Sequence, residues 1–211
     1  MADVLARLAS ALDRNDERPN VELAEELAAT GDAGAIAVLT GVLTSGSVAV
    51  QNDAIKVLYE IGALKPVLVA PHTGAFLALL GSKNNRNVWG ALQAVETVTS
   101  ERPAEVFAAL PKIIAAADKG SVIAKDKAIS ILAKLAAAGH GGKVLPILIE
   151  RIAEAAPNQL PMYAEIAAPV MDGAHRAKFV AVLETRLKSI DAPAKAKRVE
   201  KVLKSLSKSS R

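Results

Sequence analysis

The sequence predicts an all-α protein, an α-solenoid of about six helical hairpins with a repeat of about 37 residues. Three observations carry that expectation. First, 51% of the 211 residues are apolar yet only 3% are aromatic. A core must then be built from Ala, Leu, Ile and Val, and alanine and leucine lose little side-chain freedom in a helix. Second, the stretch "DAIKVLYEIG" comes back twice in similar form, as "GALQAVETV" and "KAISILAKL", with Ala54, Ala91 and Ala128 spaced 37 residues apart. Third, the apolar positions follow helical spacing. Ala54, Ile55, Leu58 and Ile61 form one stripe, where a strand would need alternation.

At the front, "DVLARLASALDR" and "NVELAEELAAT" predict a helical pair, with residues 1–32 forming an N-terminal cap. Residues 33–139 hold the best-matching repeats. Leu39, Phe76 and Ile113 share the 37-residue register in the first helices, as do Leu43, Leu80 and Ala117. A polar or glycine turn follows each: Ser45 to Ser47, Lys83 to Asn87, and Asp118 to Ser121. The second helices come next, with Asp53 and Asp126 expected in their first turns, where a carboxylate favours the exposed N–H groups. Asn85 or Asn87 is the expected N-cap of the middle one. Joints between units fall near Gly62-Ala63, Ser100 to Pro103, and Gly139 to Gly142. Residues 140–211 read as degenerate repeats ending in a basic cap. "VLPILIERIAEAA" pairs with "PMYAEIAAPVMDG", and "HRAKFVAVLETRLKSI" with "PAKAKRVEKVLKSL". A single hairpin cannot bury its stripe alone, whereas stacked neighbours make a continuous core. A compact bundle is the alternative, and three copies in one gapless register speak against it.

The second helices "VQNDAIKVLYEI" and "AKDKAISILAKL" resemble those of HEAT-type (armadillo/HEAT-like) repeats, which often read Val-Arg-x-x-Ala-x-x-Ala-Leu-x-x-Ile/Leu after a polar turn. Lys125 stands where that family often has arginine, while Gln51 and Val88 depart from it. Pro111 and Pro146 match the proline common in the first helices. The resemblance implies one repeat domain over residues 1–211, coiled as a right-handed superhelix, with the second helices lining its concave side.

Composition and motifs argue against an enzyme. The chain has no cysteine, which excludes disulfides, thiolate nucleophiles and thiolate metal sites. Its three histidines, His72, His140 and His175, form no metal-binding pair on one helix face. "AAGHGGK" around His140 lacks the Gly-Lys-Ser/Thr spacing of a phosphate loop. No nucleophile elbow and no paired acids are present, so no catalytic, metal or cofactor residue is predicted. Some HEAT-like solenoids are DNA glycosylases, which implies tryptophans and a catalytic aspartate facing DNA. One tryptophan, Trp89, and two tyrosines, Tyr59 and Tyr163, are a thin aromatic supply for that.

A binding surface is the stronger expectation. In the repeat register Asn52, Trp89 and Asp126 form one column, Lys56, Gln93 and Ser130 the next, and Glu60, Thr97 and Lys134 a third, with Tyr59 alongside. This mixture of an aromatic, amides and both charges suits a protein or peptide partner. Trp89 could be an interface anchor or could pack against the turn before it. The charge is dipolar. Residues 1–35 carry three basic against eight acidic side chains, and residues 175–211 carry eleven against three. The candidate phosphate contacts at the basic end are Lys195, Lys197, Arg198, Lys201 and Lys204, which makes nucleic acid the second expected partner. A solvated cap is the plainer reading of that end, and head-to-tail self-association with an acidic N-terminus is a third. The N-terminus lacks the features of a signal peptide, and no uninterrupted apolar run reaches the ~18–20 residues of a membrane span. The expected location is therefore cytoplasmic.

Overall fold

The structure, a computed structural model, describes residues 3–208. Among them there is no strand. The chain divides into two compact units, residues 1–128 and 129–211, and the division falls inside one helix.

The N-terminal unit begins with two short 3-10 turns, Val4–Arg7 and Ala9–Leu12. Next come α1 (Arg18–Thr30), α2 (Ala33–Ser45) and α3 (Val48–Leu64). They are followed by α4 (Pro66–Val69), α5 (Thr73–Leu79), α6 (Asn85–Val98), α7 (Pro103–Ala108) and α8 (Leu110–Lys119). Helix α9 (Val122–Leu135) carries the chain into the second unit. There α10 (Gly141–Glu154), α11 (Leu160–Ala167), α12 (Gly173–Leu187) and α13 (Pro193–Lys208) complete the fold.

Prolines divide the first helices of two repeats. Pro71, in a 3-10 turn, separates α4 from α5, and Pro111 opens α8 just after α7 ends. Proline donates no N–H and clashes with the preceding turn, so a helix restarts there more readily than it continues. The second helices α3, α6 and α9 carry no proline and are long and regular. Each takes its register from the repeat. Ala54, Ala91 and Ala128 are all buried, as are Leu58, Val95 and Leu132, and so are Leu39, Phe76 and Ile113 in the first helices. In the N-terminal unit α3 packs against α1, α2 and α6. In the second unit α12 packs against α10 and α13, and α11 against α13.

The expected front helix is absent. Leu8 adopts an extended conformation (φ −66°, ψ 148°) that splits residues 4–12 into the two 3-10 turns. The expected joint near Gly62-Ala63 falls slightly later, at Lys65, because α3 runs through to Leu64. Gly62 is there for close packing, since a Cβ on it would collide with Thr97 Oγ1 on α6. Asp53 and Asp126 lie beyond the first turns of α3 and α9, so they do not cap them. Ser47 Oγ accepts from Val50 N and Ser121 Oγ from Ala124 N, each at 3.4 Å. The cap of α6 is Asn84, whose Oδ1 accepts from Arg86 N at 3.0 Å, in place of Asn85 or Asn87.

The helical run Val122–Glu154 is long and apolar enough to cross a membrane by length and composition. Gly139 interrupts it at φ 95°, and Lys125, Asp126, Lys127 and Lys134 lie in its first half.

Candidate functional site

The N-terminal segment is bound onto the second helices by one buried network. Asn20 on α1 is fully enclosed. Its Oδ1 accepts from Ala9 N at 2.9 Å and its Nδ2 donates to Asp53 Oδ1 at 2.8 Å. Asp53 Oδ2 accepts from Ser10 N at 2.8 Å. A carboxylate on α3 thus satisfies donors from both the 3-10 segment and α1, which explains its burial.

Beside it, amides join α3 to α6. Asn84 Nδ2 donates to Asn52 Oδ1 at 2.8 Å, and Asn87 Nδ2 donates to Gln51 Oε1 at 2.9 Å. These two helices also approach closely at Gly90, where a Cβ would lie 2.9 Å from Ile55 Cγ1.

An ionic and aromatic cluster follows one turn further along α3. Lys56 Nζ donates to Glu60 Oε1 at 2.6 Å and lies 3.3 Å from Glu17 Oε2. Glu17 also pairs with the Arg86 guanidinium. Lys56 Nζ stands 5.0 Å from the centre of the Tyr59 ring, and Arg86 Cζ stands 5.9 Å from the Trp89 ring. The two rings are tilted at 50° with centroids 6.2 Å apart, a favourable aromatic arrangement. Burial works against the charge of Lys56, but hydrogen bonding to Glu60, with Tyr59 beside it, outweighs that and raises its pKa above the ordinary lysine value. Burial pushes the Tyr59 phenol up.

These contacts change the expected surface. Tyr59 is buried, 7% exposed, and supports Trp89 from beneath, so it does not face a partner. The Lys56 side chain is only 12% exposed, because Glu17 of the N-terminal segment lies against it. Trp89 is half-buried between Tyr59 and Arg86. Asn52, Glu60, Gln93 and Asp126 are likewise half-buried, as are Ser130 and Lys134 further along α9. Lys127 on α9 pairs with Glu96 on α6 at 3.6 Å.

A cleft of ≈ 500 Å³ opens where the N-terminal segment meets α3 and α6. Its charged lining is Asp13, Asp16, Glu17 and Asp53 against Arg14 and Arg86, with Ser10 and Asn52 among its polar walls. Asp13 holds a left-handed backbone (φ 51°), which turns the chain at its edge. The hydrogen bond from Arg14 lowers the Asp16 carboxyl below its ordinary pKa. Composition pointed to an acidic N-terminus, but nothing in the sequence placed that acidity against Asn52 and Arg86.

In the second unit the five expected phosphate contacts divide. Lys195 donates to Asn158 Oδ1 and Arg198 forms a two-point pair with Glu165, at 2.8 and 2.6 Å. Lys197, Lys201 and Lys204 are exposed. Of the histidines, His175 Nδ1 lies 2.8 Å from Asp172 Oδ1, and burial lowers the pKa of His72. No cluster of three or more metal-ligating side chains occurs among the described residues.

A chain of successive helical hairpins with a second-helix face defines an all-α helical-repeat protein. Comparison with solved structures supports the same fold. A designed armadillo repeat protein in complex with the peptide (KR)4 aligns with 96% of this chain and 99% of its own, with a TM-score of 0.67 and 16% identity. An engineered protein aligns over 98% of both chains (TM-score 0.61, 21% identity). A second designed armadillo repeat protein aligns over 96% and 99% (TM-score 0.60, 17% identity). The fold is therefore an armadillo/HEAT-like α-solenoid. No protein-family model and no curated protein matches the sequence.

Proposed function

We propose that the chain is a non-enzymatic peptide-binding scaffold whose N-terminal unit holds an extended basic segment along the second-helix face. The observation that carries this reading is the acidic cleft. Four carboxylates line it against two guanidinium groups, and it adjoins Asn52 on the second-helix face. A lysine or arginine side chain entering there meets Asp13 and Asp16 at the turn, and Asn52 offers an amide beside them. Gln93 and Trp89, half-buried on α6, would extend the contact along the face. The designed armadillo protein of the same fold is in complex with a basic peptide, (KR)4, which lends support.

The test is fluorescence anisotropy of a labelled Lys-Arg repeat peptide against a Glu-Gly peptide of equal length, at low and moderate salt. The expected result is binding of the basic peptide alone, weakened by salt and by the double variant Asp13→Lys, Asp16→Lys. Equal capture of both peptides, or unchanged binding by the double variant, would overturn it. A second reading, phosphate contact with nucleic acid by the basic face of α13, is favoured by exposed Lys197, Lys201 and Lys204. Titration with random duplex at low salt tests it, and no binding removes it.

A further inference from the structure

The four carboxylates of the N-terminal cleft are not equally open. Asp53 uses both oxygens on Ser10 N and Asn20 Nδ2. Glu17 pairs with Arg86 and lies 3.3 Å from Lys56 Nζ. Asp16 Oδ1 accepts from Arg18 N at 3.1 Å, at the start of α1, which fixes the carboxylate. Its Oδ2 accepts from Arg14 Nε at 2.8 Å, and Arg14 Nη2 lies 2.7 Å from the same oxygen. Of the four, the Asp13 carboxylate alone has no hydrogen-bond or ion-pair partner among the described residues.

The two arginines of the cleft are held differently. Arg86 comes from α6, lies over Trp89, and meets a carboxylate that Lys56 also approaches. Arg14 sits beside the turn itself. Asp13 bends the backbone through φ 51°, a conformation that aspartate tolerates better than most side chains, and Arg14 N donates back to Ala9 O at 2.9 Å. The Arg14 and Asp16 side chains remain 52% and 49% exposed. Water competes with an ion pair at such exposure, so the pair opens at little cost. Arg14 is therefore the cation of the cleft that can leave.

We propose that Arg14 is a resident stand-in for an arginine of the partner: it occupies Asp16 in the free protein and is exchanged for the partner's guanidinium on binding. This rests on the basic-segment reading above, and adds which basic side chain is taken and what opposes it. Arg14 sets two donors on one oxygen of a fixed carboxylate, an arrangement that a second guanidinium reproduces. A lysine ammonium, a point charge, offers that oxygen a single bond. Asp13, unpaired and on the same turn, gives the incoming charge a second carboxylate.

Anisotropy titration of the full chain with labelled Arg-Gly and Lys-Gly repeat peptides of equal length tests the exchange. Arg14→Gln removes the competitor and should tighten the Arg-Gly peptide by roughly fivefold, the scale of an exposed ion pair. A gain in affinity cannot come from misfolding. Arg18→Gln removes the same charge from the same segment, but Arg18 pairs with Glu22 outside the cleft, so its gain should be clearly smaller. The Lys-Gly peptide should bind both chains more weakly than the Arg-Gly peptide. In side-chain NMR spectra the Arg14 Nε–H signal, identified by its loss in Arg14→Gln, should move when the wild-type chain is saturated with the Arg-Gly peptide. Equal affinity of wild type and Arg14→Gln, or equal gains in Arg14→Gln and Arg18→Gln, would overturn the exchange and leave the basic-segment reading standing. So would an unmoved Arg14 signal, or a Lys-Gly peptide that binds as tightly as Arg-Gly. Failure of both peptides to bind either chain would remove the two readings together.

Discussion

Glu17 Oε2 lies 3.3 Å from Lys56 Nζ, and this contact closes the N-terminal segment over a lysine that the repeat pattern places on an open face. The same carboxylate pairs with Arg86, which in turn lies over Trp89. A residue outside the repeats therefore organises the charged and aromatic groups of two successive second helices.

Removing that carboxylate charge should be visible in the tryptophan. In Glu17→Gln the Arg86 guanidinium loses an ionic partner, and the single indole, Trp89, should shift its emission. Lys56→Met leaves Glu17 and Glu60 facing each other without their shared cation and should cost about 1 kcal/mol, the scale of a partly enclosed ion pair. Urea denaturation followed by tryptophan emission checks both variants. An unchanged spectrum in Glu17→Gln would show that the contact does not order Trp89.

Asp53 carries more of the stability. Asp53→Ala removes the acceptor of Ser10 N and Asn20 Nδ2 together. Two donors left without partners in a closed site should cost about 2–4 kcal/mol. Hydrogen exchange at the Ser10 amide should accelerate in the same variant, because the 3-10 segment loses its anchor on α3. Denaturant unfolding with amide exchange measures the two effects separately.

The close approach of α3 and α6 should be intolerant of one added methyl. Gly90→Ala puts a carbon 2.9 Å from Ile55 Cγ1, and overpacking of this kind costs about 1–3 kcal/mol. Ile55→Ala removes that carbon, so Gly90→Ala should cost less in its background. A double-mutant cycle reads the coupling, and strict additivity would mean that the two residues do not collide.

Acid should act on the second unit through Glu165. Its folded pKa lies below the ordinary glutamate value of 4.5, chiefly through the Arg198 hydrogen bond. A depressed carboxyl contributes stability that is present above the unfolded pKa and is lost as the pH falls through the folded one. The thermal midpoint should therefore decline below about pH 4.5, the ordinary value, and the decline should be shallower in Glu165→Gln. Thermal melts across that window compare the two chains.

Much of the architecture is readable along the chain because burial repeats with it. Ala54, Ala91 and Ala128 occupy the same position of successive helices, and all three are buried. The turns at Ser47 and Ser121 are likewise readable, since a short polar side chain before an apolar stripe caps a helix wherever it occurs. Tyr59 is the instructive exception. It sits beside the predicted columns but is buried, because Trp89 from the next repeat lies against it. Asp53 was similarly open to misreading, since an acidic residue near a helix start resembles a cap until its partners are known.

The repeat period and the apolar stripes together imply helices, their pairing and their inward faces, because those depend on local spacing and on stacking like upon like. The positions of the charges depended on three dimensions. Glu17 and Asp13 belong to a segment with no counterpart in the repeats, and it comes to lie on α3 through Asn20 and Asp53. Glu165 meets Arg198 across two helices in the second unit. Ion pairs and hydrogen bonds need atoms within about 3 Å, a condition that distance along the chain does not encode, so the acidic cleft emerges only when the helices pack.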